Sequence, residues 1–379
     1  MLLNNDKLIA MKKILIGISC LLIFHEVNAK NTEDSLFTKK NILNIMEKVA
    51  DWQLKQWEEK GSAYKWDDWT NAAGYTGLYA LSTISPKKAY ENVLIEKGEQ
   101  LHWQTGSRRF FADDYCIGQM YCLLYSKYKD KKMILPFKEL ADSICLLPHT
   151  ESLEWENQIQ LREWAWCDAL FMGPTSLSYL SSVIGERKYL DIALKLWWKT
   201  TDYLYDSSEH LFSRDGSYLN KKEKNGTKVF WSRGNGWVLA GLVRVLENMP
   251  QNHPDRKRLI SLYKNMSLKI AELQQADGTW HASLLDPESY PVQEMSGTGF
   301  FTYSLLWGIN HKIIDRKKYW PIIQRSWKAL TEAVHENGML GYVQSIGAAP
   351  NAVTANSTEI YGVGAFLLAG NELYRCMKN

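Results

Sequence analysis

The sequence predicts an all-α protein with a single main domain, and three observations lead to this fold class. Apolar residues recur at intervals of three and four along most of the chain, as helices with one buried face require. Alternating apolar and polar runs joined by hairpin turns, which are typical of strands, are scarce. No change in composition divides the chain after its first segment, so we expect one closed array of helices rather than two domains.

The helical period can be followed in order from Leu36 to the C-terminus. The helices are predicted from the groups Ile42/Met46/Val49, Ile117/Met120/Leu124, Leu170/Leu177/Leu180, Leu190/Leu194/Trp197, Val238/Leu242/Val245, Leu259/Leu262/Met266 and Phe300/Phe301/Leu305. Short breaks separate them at Ser85-Pro86, Leu147-Pro148, Gly185-Glu186, Met249-Pro250, 276–278 and Asn337-Gly338. The regular spacing of these helices favours a closed helical array.

Segments of small and aromatic residues stand directly ahead of several predicted helices. These segments are residues 69–74, 111–114, 164–168, 231–237 and 294–299. We expect each to form a break before its helix. If the helices close into a ring, polar and aromatic side chains at these helix N-termini face one shared mouth, which is how a helical barrel forms a pocket.

The first 29 residues have the features of a secretory signal peptide. Lys12 and Lys13 precede an apolar run over residues 14–24, and residues 27–29 provide the small side chains that signal peptidase accepts. Translation can therefore start at Met11. The apolar run is too short for a hydrocarbon core of about 30 Å, so we expect no transmembrane anchor.

Removal of the signal peptide would leave an exported protein, and we expect it in the periplasm. Cys20 raises the alternative of a lipoprotein. Against this alternative, Gly17-Ile18-Ser19 matches a lipidation motif poorly, and the apolar run continues beyond the cysteine.

Composition and charge narrow the functional classes. The chain of 379 residues has 45 Lys+Arg against 42 Asp+Glu and a formal net charge of +3. It has no clustered basic face, so we do not expect nucleic-acid binding. The 16 Trp, 20 Tyr and 11 Phe supply large rigid rings, which suit both a helical core and a site that stacks sugar rings.

Five cysteines follow the signal segment, namely Cys116, Cys122, Cys145, Cys167 and Cys376. Their odd number argues against a complete disulfide framework, and none has the spacing of zinc ligands. We interpret them as small buried hydrophobic residues and expect no metal centre.

Asp168 is a candidate general acid. It lies in the segment EWAWCDALFMGP, with Trp166 and Met172 close in sequence. A carboxyl group among aromatic faces loses hydration, which raises its pKa and lets it hold a proton near neutral pH. The alternative, which composition alone favours, is a helix N-cap whose side chain accepts backbone N–H bonds.

Asp113 and Asp114, in RRFFADDYCIGQMY, present the same choice between a cap and a functional acid. If one of them faces Asp168 across the mouth, like-charge repulsion pushes the two pKa values apart and creates an acid/base pair.

The run FWSRGNGWV, residues 230–238, is the most specific stretch of the sequence. Its two glycines allow close backbone approach or positive φ, and Arg233 and Asn235 stand between Trp231 and Trp237. An arginine suits a carboxylate, and tryptophan faces suit a pyranose ring. The alternative is a turn whose Arg233 pairs with an internal aspartate.

Six segments together resemble one known family of enzymes. They are ADDYCIGQMY, WCDALFMGP, WSRGNGWV, QADGTWH, EMSGTGFF and YGVGAFLLAG. In this order and spacing, they resemble the unsaturated rhamnogalacturonyl hydrolases, glycoside hydrolase family 105, which are relatives of the unsaturated glucuronyl hydrolases. The resemblance implies an (α/α)6 barrel over residues 36–379.

The resemblance also implies a reaction. Such enzymes remove a 4,5-unsaturated uronic acid from the non-reducing end of polysaccharide-lyase products, with no metal or organic cofactor. Protonation of C4 in the enol ether creates an oxocarbenium-like centre at C5, where water adds, and the resulting hemiketal opens to release the aglycone. This scheme differs from the usual two-carboxylate schemes, because one aspartic acid can donate the proton and its conjugate base can activate the water.

The same resemblance assigns residues to the site. Asp168 is the acid, and Asp113 is the second acid, which holds the sugar or tunes Asp168. The sugar subsite is expected to contain Trp166, Met172, Trp231, Arg233 and Trp237, with Trp69 and Asn71 at its far wall. Further candidate substrate contacts are Asp114, Asn235 and His281, although a lone histidine such as His281 is more often structural.

One departure from the family pattern concerns the aglycone. Many relatives have a histidine in a loop after the catalytic helix, where this sequence reads HLFSRDGSY and places Arg214 and Asp215. His210 is out of register. We therefore predict that Arg214 lies by the substrate. The sugar that follows the uronate is left open: it can be rhamnose, galactose or another sugar, in products of pectin, ulvan or arabinogalactan.

Two alternatives remain at this stage. A conventional glycosidase or a lyase on the same barrel could use Asp113 and Asp168 as an ordinary acid/base pair. A non-catalytic carbohydrate-binding protein of the cell envelope could use the tryptophans for stacking alone. In each case, we expect a monomer or a weak dimer.

Overall fold

A computed structural model describes residues 35–378 of the chain. The predicted signal peptide, with Met11 and Cys20, lies outside these residues. Within them the protein contains twelve α-helices and four strands of two residues each, which confirms the all-α class.

The helices are α1 (Lys39–Lys60), α2 (Trp69–Ser82), α3 (Ala89–Gln100), α4 (Gly118–Tyr128), α5 (Leu135–Cys145), α6 (Ala169–Ile184), α7 (Lys188–Leu204), α8 (Ser232–Asn248), α9 (Arg256–Glu272), α10 (Met295–Asn310), α11 (Arg316–Glu332) and α12 (Ile360–Cys376). The strands β1 (Tyr205–Asp206), β2 (Leu211–Phe212), β3 (Trp280–His281) and β4 (Gln293–Glu294) form two antiparallel pairs, β1–β2 and β3–β4.

The even-numbered helices form an inner ring and the odd-numbered helices form an outer ring. In the inner ring α2 packs on α4, α4 on α6, α6 on α8, α8 on α10, α10 on α12, and α12 on α2. Outer helices pack against inner neighbours, as α7 does on α6 and α11 does on α10. The predicted (α/α)6 barrel is therefore confirmed.

The pattern of buried residues distinguishes the helices of the inner ring from those of the outer ring. Every residue of α10 from Met295 to Ile309 is buried, as expected for a helix surrounded by others. In α11 the buried residues fall at intervals of three and four, including Tyr319, Ile323 and Trp327, so that only one face is covered.

Glycines let the first and last inner helices meet. A Cβ atom at Gly364 of α12 would lie 2.5 Å from the carbonyl oxygen of Ala73, and one at Gly77 of α2 would lie 2.5 Å from the carbonyl oxygen of Gly364. Only a residue without a side chain allows these backbones to approach so closely.

The segments expected as breaks over residues 69–74, 231–237 and 294–299 instead form the first turns of α2, α8 and α10. Helix capping explains why the first and the last of these three segments are helical. The Asp68 carboxylate accepts a hydrogen bond from the backbone N of Thr70 at 2.9 Å, and Glu294 accepts one from the backbone N of Gly297 at 2.7 Å. The small residues that follow are helical, and their side chains lie at the barrel mouth or against neighbouring helices.

The described chain also bears on the membrane and cysteine predictions. Among residues 35–378, no helix combines the length and apolar character needed to cross a bilayer. All five cysteines in this range are free, and Cys116, Cys122 and Cys167 are buried as interpreted. Cys145 and Cys376 are only half-buried.

Candidate active site

A cavity of about 140 Å³ lies at the end of the barrel where the inner helices begin. Its lining residues are Trp69, Asp113, Trp166, Asp168, Met172, Arg214, Trp231, Arg233, Trp237, Ile346 and Gly347. All but the last two were predicted as site residues from the sequence. The fold therefore brings together two carboxyl groups, two guanidinium groups and several indole rings from distant parts of the chain.

Asp168 occupies the N-cap position of α6, but its side chain makes no capping hydrogen bond. The composition-based alternative of a capping carboxylate is therefore wrong. The carboxyl group lines the cavity, is 9% exposed, and has the Cys167 Sγ 3.6 Å from its Oδ1 atom. Burial raises the pKa of Asp168, whereas the positive charges of Arg214 and Arg233 oppose this rise.

Asp113 lies on a 3₁₀ turn, Ala112–Tyr115, ahead of α4, and lines the same cavity. Burial raises the pKa of Asp113 to about 8, and the negative charge of Asp168 adds to the rise. Two interacting carboxyl groups titrate as a pair. Near neutral pH Asp113 is therefore protonated, so the cavity holds an acidic proton, which is the condition for acid catalysis.

Asp114 does not line the cavity, and its expected substrate contact stays a prediction. Its carboxylate accepts hydrogen bonds from the backbone N of Arg108 at 2.6 Å and from the Arg108 Nη2 at 2.5 Å. The Arg108 guanidinium in turn lies 3.9 Å from the ring centre of Phe111, which stacks on Trp166. Asp114 thus stabilises the loop behind one aromatic wall.

Arg214 reaches the cavity from the loop that follows β2. Its Nη1 donates to the Asp215 Oδ2 at 2.5 Å, and its guanidinium lies 4.7 Å from the ring centre of Trp155. The carbonyl oxygen of Arg214 accepts a hydrogen bond from the backbone N of Cys167 at 2.8 Å, which fastens this loop beside Asp168. The Nε atom of Arg214 is buried and has no partner in the described chain.

Arg233, in the first turn of α8, is 1% exposed. Its guanidinium donates to the carbonyl oxygens of Gln344 and Ser345, the latter at 3.0 Å, and lies 4.4 Å from the ring centre of Trp231. Within residues 35–378 its hydrogen bonds all go to uncharged oxygens. The alternative of a turn whose arginine pairs with an internal aspartate is therefore wrong, and the buried cation remains without a carboxylate partner.

Aromatic rings form the rigid base of the cavity. Trp69 stacks on Tyr361 with ring centres 5.3 Å apart and meets Trp237 edge-on at 6.0 Å. Trp237 also contacts Phe171 at 4.7 Å and Phe300 at 4.3 Å. Because these rings are packed on several sides, they offer a sugar fixed apolar faces.

Asn71 and His281 do not line the cavity. The Asn71 side chain is fully buried and donates to the carbonyl oxygen of Lys65 at 2.9 Å. His281 lies 3.1 Å from the Asp277 carboxylate and 3.2 Å from the carbonyl oxygen of Pro287. Their expected substrate contacts stay predictions.

Asn235 acts on the site only through the backbone. Its Oδ1 accepts a hydrogen bond from the backbone N of Phe212 at 2.8 Å, and its Nδ2 donates to the Phe212 carbonyl oxygen at 3.0 Å. These bonds fasten β2, and with it the Arg214 loop, to α8. Asn235 does not line the cavity, and its expected substrate contact stays a prediction.

Sequence reasoning missed the segment 344–347, which brings Ile346 and Gly347 to the cavity. The Gln344 Oε1 accepts a hydrogen bond from the Trp231 Nε1 at 3.0 Å, and the Gln344 backbone N donates to the Glu294 Oε1 at 3.1 Å. The run QSIGAAP has ordinary loop composition and no periodic pattern, so no local signal marks it as part of a site.

The cavity has the chemistry of a site for a sugar acid. It combines a proton donor, a conjugate base, cationic groups for a carboxylate and aromatic faces for a ring. Among the described residues, no three His, Cys, Asp or Glu side chains come together as metal ligands.

The helical barrel and this acid pair among arginines and tryptophans define a carbohydrate-active enzyme. The family model described as Glycosyl Hydrolase Family 88 matches residues 45–377, and the chain belongs to this family. The protein is therefore a glycoside hydrolase, and the resemblance seen in the six sequence segments is confirmed.

Individual relatives agree with this membership. An "unsaturated 3S-rhamnoglycuronyl hydrolase" from Formosa agariphila is 39% identical over 325 residues, which cover 81% of this chain and 84% of the relative. A solved structure described as glycosyl hydrolase family 88 from Bacteroides vulgatus is 31% identical, with a TM-score of 0.81 over 90% of this chain and all of that one. Another, described as a polysaccharide lyase, is 31% identical, with a TM-score of 0.81 over 89% of this chain and 98% of that one.

Proposed function

We propose that the protein removes a 4,5-unsaturated uronic acid from the non-reducing end of oligosaccharides released by polysaccharide lyases. The observation that carries this proposal is the position of Arg233, a buried cation without a carboxylate partner in the described chain, in the cavity that holds Asp113 and Asp168. A planar unsaturated uronate supplies the missing carboxylate and presents its C4=C5 bond to the acids. The name of the Formosa relative supports the same substrate class.

Asp168 is the proton donor in this proposal. Transfer of its proton to C4 moves the C4=C5 electron pair into the new C–H bond and leaves a positive charge shared by C5 and the ring oxygen. The Asp168 carboxylate then takes a proton from water as the water oxygen bonds to C5. The hemiketal then opens as the bond between C5 and the ring oxygen breaks, so that C5 becomes a ketone and C1 a hemiacetal. The hemiacetal expels the aglycone as an alcohol and becomes an aldehyde, and Asp168 keeps the proton that it took from the water.

Binding of the substrate prepares Asp168 for this step. In the free protein, Arg214 and Arg233 lower the pKa of Asp168 against the effect of burial. When the uronate carboxylate pairs with Arg233, it cancels part of the effect of this cation and further excludes water. The shared proton of the pair then shifts from Asp113 toward Asp168.

We further propose that the aglycone is a rhamnose that carries a sulfate ester at O3, as in products of ulvan. The name of the Formosa relative includes a 3S-rhamnose unit. Arg214 supports the same choice, because its buried Nε has no partner in the described chain and a sulfate oxygen can accept its hydrogen bond. Rhamnose without sulfate leaves this donor unpaired.

The experiment compares three disaccharides: the unsaturated uronyl 3-sulforhamnose, its desulfated form and its saturated form. We expect loss of the enol-ether absorbance and release of rhamnose 3-sulfate from the first, slower turnover of the second, and no cleavage of the third. Asp168→Asn is expected to bind the substrate but to lose turnover by several orders of magnitude, because an amide cannot protonate carbon.

The matched control is Asp277→Asn, the same chemical change at an acid that lies outside the cavity. This variant should retain wild-type turnover. Cleavage of the saturated disaccharide, or near-normal turnover by Asp168→Asn, would contradict the proposal. Arg214→Ala should narrow the rate difference between sulfated and desulfated substrates to near unity if the aglycone assignment is correct.

A lyase is the second candidate, because a solved structure of the same fold and 31% identity is described as one. A lyase creates the double bond, so its action on intact polysaccharide would increase the enol-ether absorbance. The proposed hydrolase would leave the absorbance of the same material unchanged. A non-catalytic binding protein would change neither the absorbance of the intact polysaccharide nor that of the unsaturated disaccharides. The same assay therefore separates all three functions.

Export through the segment 1–29 belongs to this proposal, with the periplasm as the destination. Fractionation of cells that express the full chain tests it, with the expectation of a processed protein in the periplasmic fraction. Recovery of the unprocessed chain in the cytoplasm would contradict export.

A further inference from the structure

A second cavity, of about 180 Å³, lies at the opposite end of the barrel, where the inner helices end. All six inner helices contribute to its lining, through Tyr79, Leu123, Tyr179, Arg244, Tyr303 and Glu372. Rings of the core separate it from the catalytic cavity, since the Arg244 guanidinium lies 5.9 Å from the ring centre of Phe171, which packs on Trp237. Neither the family membership nor the proposed reaction uses this cavity.

Arg244 forms the inner wall of this distal cavity. It is 3% exposed, and its Nε donates to the Gln119 Oε1 at 2.6 Å. Gln119 is held in turn by a hydrogen bond from its Nε2 to the Phe171 carbonyl oxygen at 3.0 Å. The Arg244 Nη2 is buried and has no partner within residues 35–378. A buried donor without a partner loses its hydration with nothing in return, so a ligand oxygen at this position is favoured.

The remaining lining offers acceptors as well as donors. Glu372 is 3% exposed, accepts a hydrogen bond from the Asn310 Nδ2 at 2.7 Å, and lies 3.6 Å from Arg375. The Tyr179 hydroxyl donates to Glu247 at 3.3 Å, and the Tyr179 ring centre lies 4.9 Å from the Arg244 guanidinium. The two arginines and two glutamates that line the cavity balance in formal charge, so a free ion of either sign is not favoured.

We propose that the distal cavity binds a small neutral polyhydroxylated molecule of monosaccharide size. A hydroxyl group both donates and accepts, which matches a wall that mixes guanidinium, carboxylate and phenol groups. Tyrosine rings suit the apolar face of a sugar ring. The volume equals that of about six waters at ~30 Å³ each, which is close to the size of a pyranose.

The test uses Thr83, an exposed rim residue at the C-terminal end of α2. Thr83→Trp places a large side chain at the entrance. Thr83→Ala is the matched control, because it loses the same hydrogen bond from the Asn371 Nδ2 and leaves the entrance open. Trp231→Ala disrupts the catalytic cavity and leaves the distal one intact. L-Rhamnose and D-xylose are the probes, sodium sulfate is the ionic probe, and calorimetry with saturation-transfer NMR measures binding to each full-length protein.

We expect both sugars to bind the wild type, Thr83→Ala and Trp231→Ala alike, and Thr83→Trp to weaken binding at least about tenfold while its hydrolytic activity is unchanged. Sugar binding that survives Thr83→Trp but is lost in Trp231→Ala would place the sugar in the catalytic cavity and overturn the proposal. Binding of sulfate in preference to both sugars, or of no probe at all, would also overturn it.

Discussion

Asp113 and Asp114 are adjacent and identical in sequence, yet the fold gives them different chemistry. Asp114 accepts two charge-assisted hydrogen bonds from Arg108 and serves as a structural anchor. Asp113 faces the cavity beside Asp168, and burial raises its pKa to about 8. The sequence placed both at a helix start, but only the fold determines which of the two meets Asp168.

The raised pKa of Asp113 predicts a dependence of stability on pH. The folded protein holds a proton on this carboxyl group up to about pH 8, whereas an unfolded chain releases it near pH 4. Stability associated with this proton is therefore lost as the pH rises through about 8. Asp113→Asn needs no proton, so its Tm relative to the wild type should rise by a few degrees between pH 5 and pH 9.

Calorimetric melts of both proteins across this pH range measure the effect. Asp202→Asn, at an exposed acid, is the matched control and should show no such trend. A Tm difference between Asp113→Asn and the wild type that is the same at pH 5 and pH 9 would contradict the raised pKa.

At the scale of elements, the loop 344–347 contacts both the Trp231 ring and the Arg233 guanidinium of the sugar subsite. The Gln344 side chain accepts a hydrogen bond from Trp231, its backbone oxygen accepts one from Arg233, and its Nε2 donates to the Ala349 carbonyl oxygen at 2.8 Å. One glutamine therefore positions an aromatic face, a cation and the loop that carries Ile346. None of these contacts involves Asp113 or Asp168.

Gln344→Leu is expected to raise KM about tenfold, because it leaves the Trp231 Nε1 unpaired and releases the loop. The value of kcat should change much less, since the positions of Asp113 and Asp168 do not depend on this side chain. Steady-state kinetics on the unsaturated disaccharide measure both parameters, with Gln100→Leu at an exposed position as the control. A loss confined to kcat would contradict the positioning role.

The elements differ in how well their contribution could be predicted. The runs around Asp168 and Arg233 were found because acids and arginines among tryptophans are unusual in sequence. Asn71 and His281 have the same polar character and bond to near neighbours in sequence, Lys65 and Asp277, whereas Asn235 bonds to the distant Phe212. Residue type alone did not show which of these side chains are held by the protein itself. The loop 344–347 carried no pattern at all.

At the scale of the whole molecule, the site exists because the ring closes. Helical periodicity predicted helices along most of the chain without separating inner from outer ones, and in the structure an inner helix such as α10 is buried along almost its whole length. Periodicity alone does not specify which helices meet. The contact between α2 and α12 joins the inner helices that come first and last in the sequence, and it places Trp69 against Tyr361.

Gly364→Ala tests this closure, because the added Cβ would lie 2.5 Å from the Ala73 carbonyl oxygen. We expect a loss of about 2–3 kcal/mol in unfolding free energy and a Tm lower by several degrees. Gly347→Ala is the matched control, since the nearest atom to its added Cβ lies 3.6 Å away. Equal stability of the two variants in denaturant melts would contradict the role assigned to the glycine contact.

The direct test of protonation at carbon is hydrolysis of the unsaturated uronyl disaccharide in deuterium oxide, followed by NMR of the released uronic acid product. If Asp168 protonates the vinylic carbon, product taken before enolisation of its C5 ketone exchanges the C4 hydrogens carries one deuterium at C4 with a single stereochemical orientation, and Asp168→Asn yields no product in the same time. A product with only hydrogen at C4 would mean that the glycosidic bond breaks without hydration of the double bond, and would contradict the mechanism.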